Sequence, residues 1–286
     1  MKPSKIDLHM HTTISDGTDT PAEILARVKE VGITHFAVTD HDAIEGCSEI
    51  IRLLRKGDPA FICGAEFSCE DEEGKYHILG YGYDMQALSI QALVRTCHEY
   101  RLNKVQQRLD WLKKECRFAF DEHDVQALFA LRNPGKPHIA NMMVQYGYAS
   151  KKAEAFELIN RFKAKEKRIR PEVALEAILG AKGIPVLAHP SYGSGDELII
   201  GKEMEHRLER MIGFGVKGIE AFYSGFSPMM QNELLALAER YNLYVTAGSD
   251  YHGDNKSVQL GDTNLSEFTE YPNGLCQFLQ DVYVEI

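Results

Sequence analysis

The stretch Ile6-Asp7-Leu8-His9-Met10-His11, followed at once by Thr12-Thr13-Ile14-Ser15-Asp16-Gly17, decides how the rest of the chain is read. Residues i and i+2 of a strand share a face, so His9 and His11, at the end of a short apolar run, point the same way. Asp16 lies past the strand end, in a loop that can fold back toward them. Two imidazoles and a carboxylate converging on one spot suit a divalent metal such as zinc, manganese or iron. An H-x-H pair also occurs as two ordinary surface histidines, so the reading depends on what the other strands deliver.

Working outward, Thr20-Pro21-Ala22-Glu23 reads as a helix start, with Thr20 as N-cap, Pro21 at the first helical position and Glu23 closing a capping box. Ile24, Leu25, Val28 and Val31 form its apolar face, and Gly32 ends it. A second strand over 34–40 runs into Asp40-His41-Asp42. A helix over 44–55 leads to a third strand over 60–66 with Glu66 near its end, and 75–81 forms a fourth, containing His77. Polar residues at the C-terminal ends of strands are where barrel and open α/β folds carry their chemistry. From 88 to 170 the spacing is helical throughout, with Leu88, Leu93, Val94, Val105, Leu109 and Leu112 on an apolar face. This region, which ends in the basic run 163–170, reads as a helical insertion. The β/α rhythm then resumes: a helix over 171–181, a strand over 184–188 running into His189-Pro190, a helix over 202–212, and a strand over 216–222. A helix over 228–240 and a strand over 243–248 follow, the strand running into Ser249-Asp250-Tyr251-His252-Gly253. A last helix covers 273–279.

A chain of 286 residues can bury a substantial core as one α/β domain carrying an insertion. Its formal net charge of −10 argues against broad electrostatic binding to duplex DNA or to an anionic membrane. A nucleotide or a short single strand held in a local basic pocket stays compatible with that charge. The six cysteines lack C-x-x-C spacing, which suits buried or incidental thiols. The start of the chain enters a strand with no apolar leader, and no run approaches spanning length, so cytoplasmic residence is expected. Oligomeric state leaves no trace in the pattern.

Seven strands thus deliver His9, His11, Asp16, His41, Glu66, His77, His189, Asp250 and His252. Taken singly, each is better explained as a hydrogen-bonded core or surface group. Taken together, nine ligand-type residues at strand ends can hold two or three metals with a carboxylate bridging a pair. In this order H-x-H with S-D-G, T-D-H-D, G-A-E-F, A-H-P and G-S-D-x-H-G resemble the polymerase and histidinol phosphatase (PHP) family of metal-dependent phosphoesterases. The likeness spans most of 5–85 and 170–255. It implies a distorted seven-stranded (β/α) barrel over 1–87 and 171–286, with an inserted helical cap domain over 88–170. It also implies a trinuclear site for manganese, iron or zinc. On the family pattern His9, His11, Glu66 and Asp250 hold a first metal. Glu66 bridges to a second, completed by His77 and His189, and Asp16, His41 and His252 hold a third. No ligand position departs from that pattern.

The insertion adds a narrower likeness to stand-alone members that act on nucleoside 3′,5′-bisphosphates and RNA 5′ ends, or on ribose cyclic phosphates. Their helical domain supplies cations to substrate phosphate, and the matching positions are Arg101, Lys136 and His138, with Lys104 and Arg108 as lesser candidates. Arg101, Lys104 and Arg108 read equally well as an ordinary solvated helix face, whereas Lys136 and His138 sit where a turn meets a helix N-terminus. The expected chemistry is phosphomonoester hydrolysis by a metal-bridging hydroxide, with His41, His189 or His252 as acid. The expected substrate is a small nucleotide, foremost the 3′-phosphate of a 3′,5′-bisphosphate, extending to 5′-end trimming of short single-stranded RNA. Alternatives are a ribose 1,2-cyclic phosphate or another sugar phosphate, histidinol phosphate, an amidohydrolase-type barrel, and a non-catalytic metal-binding module.

Overall fold

The computed structural model describes residues 5–165, 167–193, 197–265 and 270–285. The expectation about a leader falls partly on residues 1–4, which lie outside the described residues. So do residue 166 of the basic run and residues 266–269 of the tail. Two compact units divide the chain, one comprising residues 1–94 and 169–286, the other 95–168.

The first unit is a barrel. Its strands are β1 (Lys5–Asp7), β2 (Ile33–Val38), β3 (Ala60–Glu70), β4 (Lys75–Tyr81), β5 (Ile184–Leu187), β6 (Gly218–Tyr223) and β7 (Tyr244–Gly248), hydrogen-bonded in chain order. All neighbours are parallel except at β4, which runs against both β3 and β5. The ring nearly closes just beyond the end of β1, where Leu8 N–H donates to the Ala247 carbonyl, Asp250 N–H to His9 and His11 N–H to Tyr251, each at 2.8 Å. Closure leaves β1 and β7 without an open edge along this stretch.

Helices α1 (Pro21–Glu30), α2 (Glu45–Leu53), α7 (Pro171–Gly180), α8 (Gly201–Phe214), α9 (Pro228–Arg240) and α10 (Asn273–Asp281) belong to the same unit. The capping box at Thr20 and Glu23 is present, and Ile24, Leu25 and Val28 are buried against Phe36, Ile50 and Phe61. Each such side chain is worth about 1.5–3 kcal/mol of burial. Val31 departs from the expected apolar face: it is the C-cap, where the chain turns at Gly32 (φ 72°), and it stays exposed. Strand β3 runs four residues past Glu66, because the acidic turn closes a β3–β4 hairpin in register from Gly64↔Tyr81 to Glu70↔Lys75.

The second unit holds most of α3 (Leu88–Glu115), which begins in the barrel unit, together with α4 (Glu122–Phe129), α5 (Lys136–Gln145) and α6 (Lys152–Ile159). Val105, Leu109, Leu112, Leu128, Ile139, Met143 and Ile159 form its own core. Leu88 does not join an apolar face and is exposed at the first residue of α3. No helix among the described residues is long and apolar enough to cross a membrane.

Candidate metal centre

Alternation sorts residues 8–11. Leu8 and Met10 are buried on the hydrophobic side, Met10 against α1 and α2 residues, which leaves His9 and His11 facing the opposite way, into the barrel mouth. Both imidazoles are fully buried. The following loop is folded back by Asp40: Thr12 N–H and Oγ donate to it at 2.8 and 2.9 Å, and Ser15 Oγ donates at 2.7 Å. Gly17 is needed here, since a Cβ would fall 2.3 Å from the His11 carbonyl oxygen. The fold-back brings Asp16 to 3.3 Å from His252 Nε2, 3.6 Å from His11 Nδ1 and 3.9 Å from His41 Nε2.

His41 is held beside β3 by a parallel bridge to Glu66. Asp42 has a left-handed backbone (φ 56°), its N–H bonds to the Glu66 carbonyl, and its carboxylate receives Ser68 N–H. His77 arrives from the opposite direction. It is the third residue of β4, not near a C-terminal end, because the antiparallel strand starts at the rim where β3 and β5 finish. His189 and Asp250 follow β5 and β7 with φ of 24° and 59°. Positive φ at non-glycine residues costs about 1–3 kcal/mol each and gathers where side-chain aim matters.

Glu66 is the hub. Its Oε1 lies 2.8 Å from His77 Nδ1 and 3.0 Å from His189 Nε2, while Oε2 lies 3.3, 3.2 and 3.1 Å from His9, His11 and His41. Asp250 Oδ1 faces the Nε2 atoms of His9 and His11 at 3.6 and 3.3 Å. The nine side chains form four overlapping sets whose donor atoms lie within 4.8 Å of one another: His11, Asp16, His41 and His252; His9, Glu66 and His189; His9, His11 and Asp250; His41, Glu66 and His77.

His9 Nε2, His11 Nε2, His41 Nδ1 and Glu66 Oε2 are buried without a hydrogen-bond partner. An orphaned buried polar atom costs about 1–3 kcal/mol, and these four converge, so the donor set fits divalent cations. The electrostatics agree. Burial lowers an imidazole's pKa, and for His41 it wins, bringing the value to about 3. At His11 burial is outweighed by Asp250 and Glu66, and the pKa rises to about 9. Burial would raise Glu66, yet the surrounding histidines, His41 foremost, hold it well below the carboxylate range. Burial and the buried carboxylates thus pull imidazole protonation in opposite directions, and bound cations would neutralise the same carboxylates.

Several residues that support the site carry no ligand-like signal in the sequence. Glu220, a lone acid inside apolar β6, is fully buried; it faces His9 Nδ1 at 3.0 Å and accepts His189 N–H at 2.8 Å. Gly248 makes room for this pair, since a Cβ there would lie 2.2 Å from His9 Cβ and 2.4 Å from Glu220 Oε1. Asp7, whose carboxyl is pushed up to about 6 by burial, accepts Ser249 N–H and Oγ–H at 2.9 and 2.6 Å. Tyr223 OH and Lys256 Nζ both reach Asp250 Oδ2, at 3.0 and 2.6 Å. A cleft of about 330 Å³ opens beside these groups, lined by His41, Glu66, His77, His189, Asp250 and Lys256 together with Tyr192, Tyr223, Ser224, Gly225 and Val258.

The expected phosphate ligands lie in the helical unit. Lys136 begins α5 and donates to Asn160 Oδ1 at 2.7 Å, and His138 Nδ1 accepts Gly135 N–H at 3.2 Å. Burial lowers the His138 pKa, with Lys152 adding to the effect. Arg101 and Lys104 are half-buried and Arg108 is buried, its guanidinium reaching the Lys104 carbonyl at 3.5 Å, so these three are not a solvated stripe.

Known proteins resemble this chain over most of its length. A solved structure of a Bifidobacterium adolescentis chain assigned as a metal-dependent phosphoesterase superposes with a TM-score of 0.77 at 27% identity, covering 98% of this chain and 97% of that one. A 5′-3′ exoribonuclease of Haemophilus influenzae is 27% identical, covering 90% of this chain and 93% of its own length. A phosphoribosyl 1,2-cyclic phosphate 1,2-diphosphodiesterase of Eggerthella lenta is 30% identical, with coverage of 86% and 94%. A 3′,5′-nucleoside bisphosphate phosphatase of Chromobacterium violaceum is 29% identical, with coverage of 87% of each. The PHP domain model matches residues 7–176, and with these relatives it makes the chain a member of the PHP domain family.

Proposed function

We propose that the chain is a metal-dependent phosphoesterase that removes the 3′-phosphate of nucleoside 3′,5′-bisphosphates and extends to 5′-end trimming of short RNA. The observation that carries the reading is Glu66, whose two oxygens address two different groups of histidines, as a bridging carboxylate does. In this reading His9, His11, Glu66 and Asp250 hold one ion. Glu66, His77 and His189 hold a second, and Asp16, His41 and His252 a third. Manganese is the preferred ion, with iron or zinc as alternatives that the same nitrogen and oxygen donors accept. Bound divalent ions supply Lewis-acid polarisation of phosphate oxygens, an activated water and stabilisation of the leaving alkoxide.

The chain's own residues do the rest. Glu220 fixes the His9 ring, and Asp40 fixes the loop that carries Asp16. Of the acid trio His41, His189 and His252, the first two line the cleft, and a histidine that donates the proton would not at the same time hold an ion. Tyr192 and Tyr223, with ring centroids 6.1 Å apart, give the cleft an aromatic surface suited to a nucleobase. The helical unit serves as the cap in this reading, with Arg101, Lys136 and His138 meeting a second phosphate. The six cysteines are all free, which suits a reducing, cytoplasmic setting.

The Eggerthella lenta relative favours a second reading, opening of a ribose 1,2-cyclic phosphate with subsequent loss of phosphate. A panel on manganese-loaded protein separates the two. Adenosine 3′,5′-bisphosphate, a ribose 1,2-cyclic phosphate, a 5′-phosphorylated oligoribonucleotide and histidinol phosphate are compared by kcat/KM. The first substrate is expected to lead. A rate on it no higher than on histidinol phosphate overturns the preferred reading.

A further inference from the structure

Among the described residues that line the cleft, Lys256 is the one lysine or arginine. It follows the ligand-type His252 by four positions, in His252-Gly253-Asp254-Asn255-Lys256. That segment is tied to the Asp16 loop at three points. Thr18 N–H donates to the His252 carbonyl, Asp254 N–H donates to Thr18 Oγ at 2.9 Å, and Asn255 Nδ2 donates to the Asp16 carbonyl at 2.7 Å. Gly253 has φ 63° and packs so closely that a Cβ would sit 2.0 Å from Thr18 Oγ. Lys256 is therefore projected from a backbone fixed to the site, not from a free loop.

Its ammonium lies 2.6 Å from Asp250 Oδ2, the oxygen that also receives Tyr223 OH, while Oδ1 of the same carboxylate faces His9 and His11. The two oxygens face different partners, so the bond to the lysine leaves Oδ1 open toward His9 and His11. A lysine ammonium has three donors, and its bond to Asp250 leaves two beyond it. Lys256 lines the cleft and its side chain is 41% exposed, which leaves those donors accessible to a phosphate bound beside the His and Glu cluster. A phosphate dianion entering among Glu66, Asp250 and Asp16 needs cationic compensation on the side away from the ions, and Lys256 is placed to give it.

We propose that Lys256 is a substrate-binding residue of the barrel itself, donating to a non-bridging oxygen of the scissile phosphate. The inference rests on the phosphoesterase reading and adds to it a barrel residue that discriminates phosphate esters from uncharged substrates. The rival role, in which Lys256 only orients Asp250, gives a different signature: it would lower metal retention, which Tyr223 alone would then sustain.

The test uses full-length protein loaded with manganese, as wild type, Lys256→Met and Lys256→Arg. Bound manganese is counted by elemental analysis, and binding of inorganic phosphate is measured by calorimetry and as an inhibition constant. The expectation is unchanged manganese in all three and phosphate binding weakened about tenfold or more in Lys256→Met, with partial recovery in Lys256→Arg. Equal phosphate affinity in wild type and Lys256→Met overturns the proposal while leaving the phosphoesterase reading intact. A loss of manganese whose replenishment restores phosphate affinity also overturns it, making Lys256 a positioning residue. Wild-type protein that binds no phosphate and turns over no phosphate ester overturns both.

Discussion

The barrel rim and the helical unit hold their polar side chains in opposite ways. At the rim, six histidines and three carboxylates face one another, and four of their atoms are buried with no hydrogen-bond partner. In the helical unit Lys136 donates to Asn160 Oδ1, and His138, whose pKa burial lowers, accepts Gly135 N–H. Buried donors aimed at each other at a cost in free energy demand something to fill the gap between them. A lysine tied to a neighbouring amide, as Lys136 is, makes no comparable demand. In the proposed reading the chemistry resides in the rim, and the part of the helical unit is sought in substrate affinity.

The sharpest way to break this contrast is Glu66→Gln, which keeps the shape of the hub and removes its charge. Turnover is expected to fall on the order of 10³-fold or more, together with a loss of bound metal. Wild-type rates in metal-replete buffer would mean that Glu66 is an ordinary buried acid. Metal removal comes next. A ligand present at 100 times its dissociation constant stabilises the folded state by about 2.7 kcal/mol, so a chelator should lower the melting midpoint of the wild type. Glu66→Gln should show little of that shift. An unchanged wild-type midpoint on chelation would leave the four orphaned atoms without their explanation.

Glu220→Gln probes the support beneath the ligands. Glu220 meets His9 Nδ1 and so directs Nε2 toward Glu66 and Asp250, the arrangement by which outer carboxylates orient metal-bound histidines. Metal affinity is expected to drop about 10–100-fold, with activity recovering at high metal concentration. Recovery by metal is what distinguishes weakened binding from a damaged barrel.

The sequence displayed most ligand-type residues because strand alternation and strand-end position are local properties. His9 and His11 separate from Leu8 and Met10 by period alone, and the capping box at Thr20 fixed the first helix. His77 was recognisable as a ligand type but not as lying at the start of an antiparallel strand, since periodicity carries no strand direction. Glu220 and Asp7 are single acids inside apolar runs, and their contacts with His9 and Ser249, more than 200 residues away in sequence, carry no local signal. Lys256 sits in a loop whose position depends on Thr18 and Asp16, so no window of neighbouring residues could assign it.

The smallest effect is expected from Lys136→Ala. Lys136 spends a donor on Asn160 of the same unit, so truncation should change stability by no more than about 0.5–1 kcal/mol. If the ammonium also meets a remote phosphate of the substrate, KM for a 3′,5′-bisphosphate should rise several-fold, up to about tenfold, with kcat unchanged. Asn160→Ala is the control, because it removes the partner and keeps the charge. A rise in KM in Lys136→Ala alone assigns the helical unit a share of substrate recognition. Equal behaviour of the two variants reduces the Lys136–Asn160 pair to a fold contact and leaves recognition of phosphate to the barrel rim, which is where Lys256 already stands.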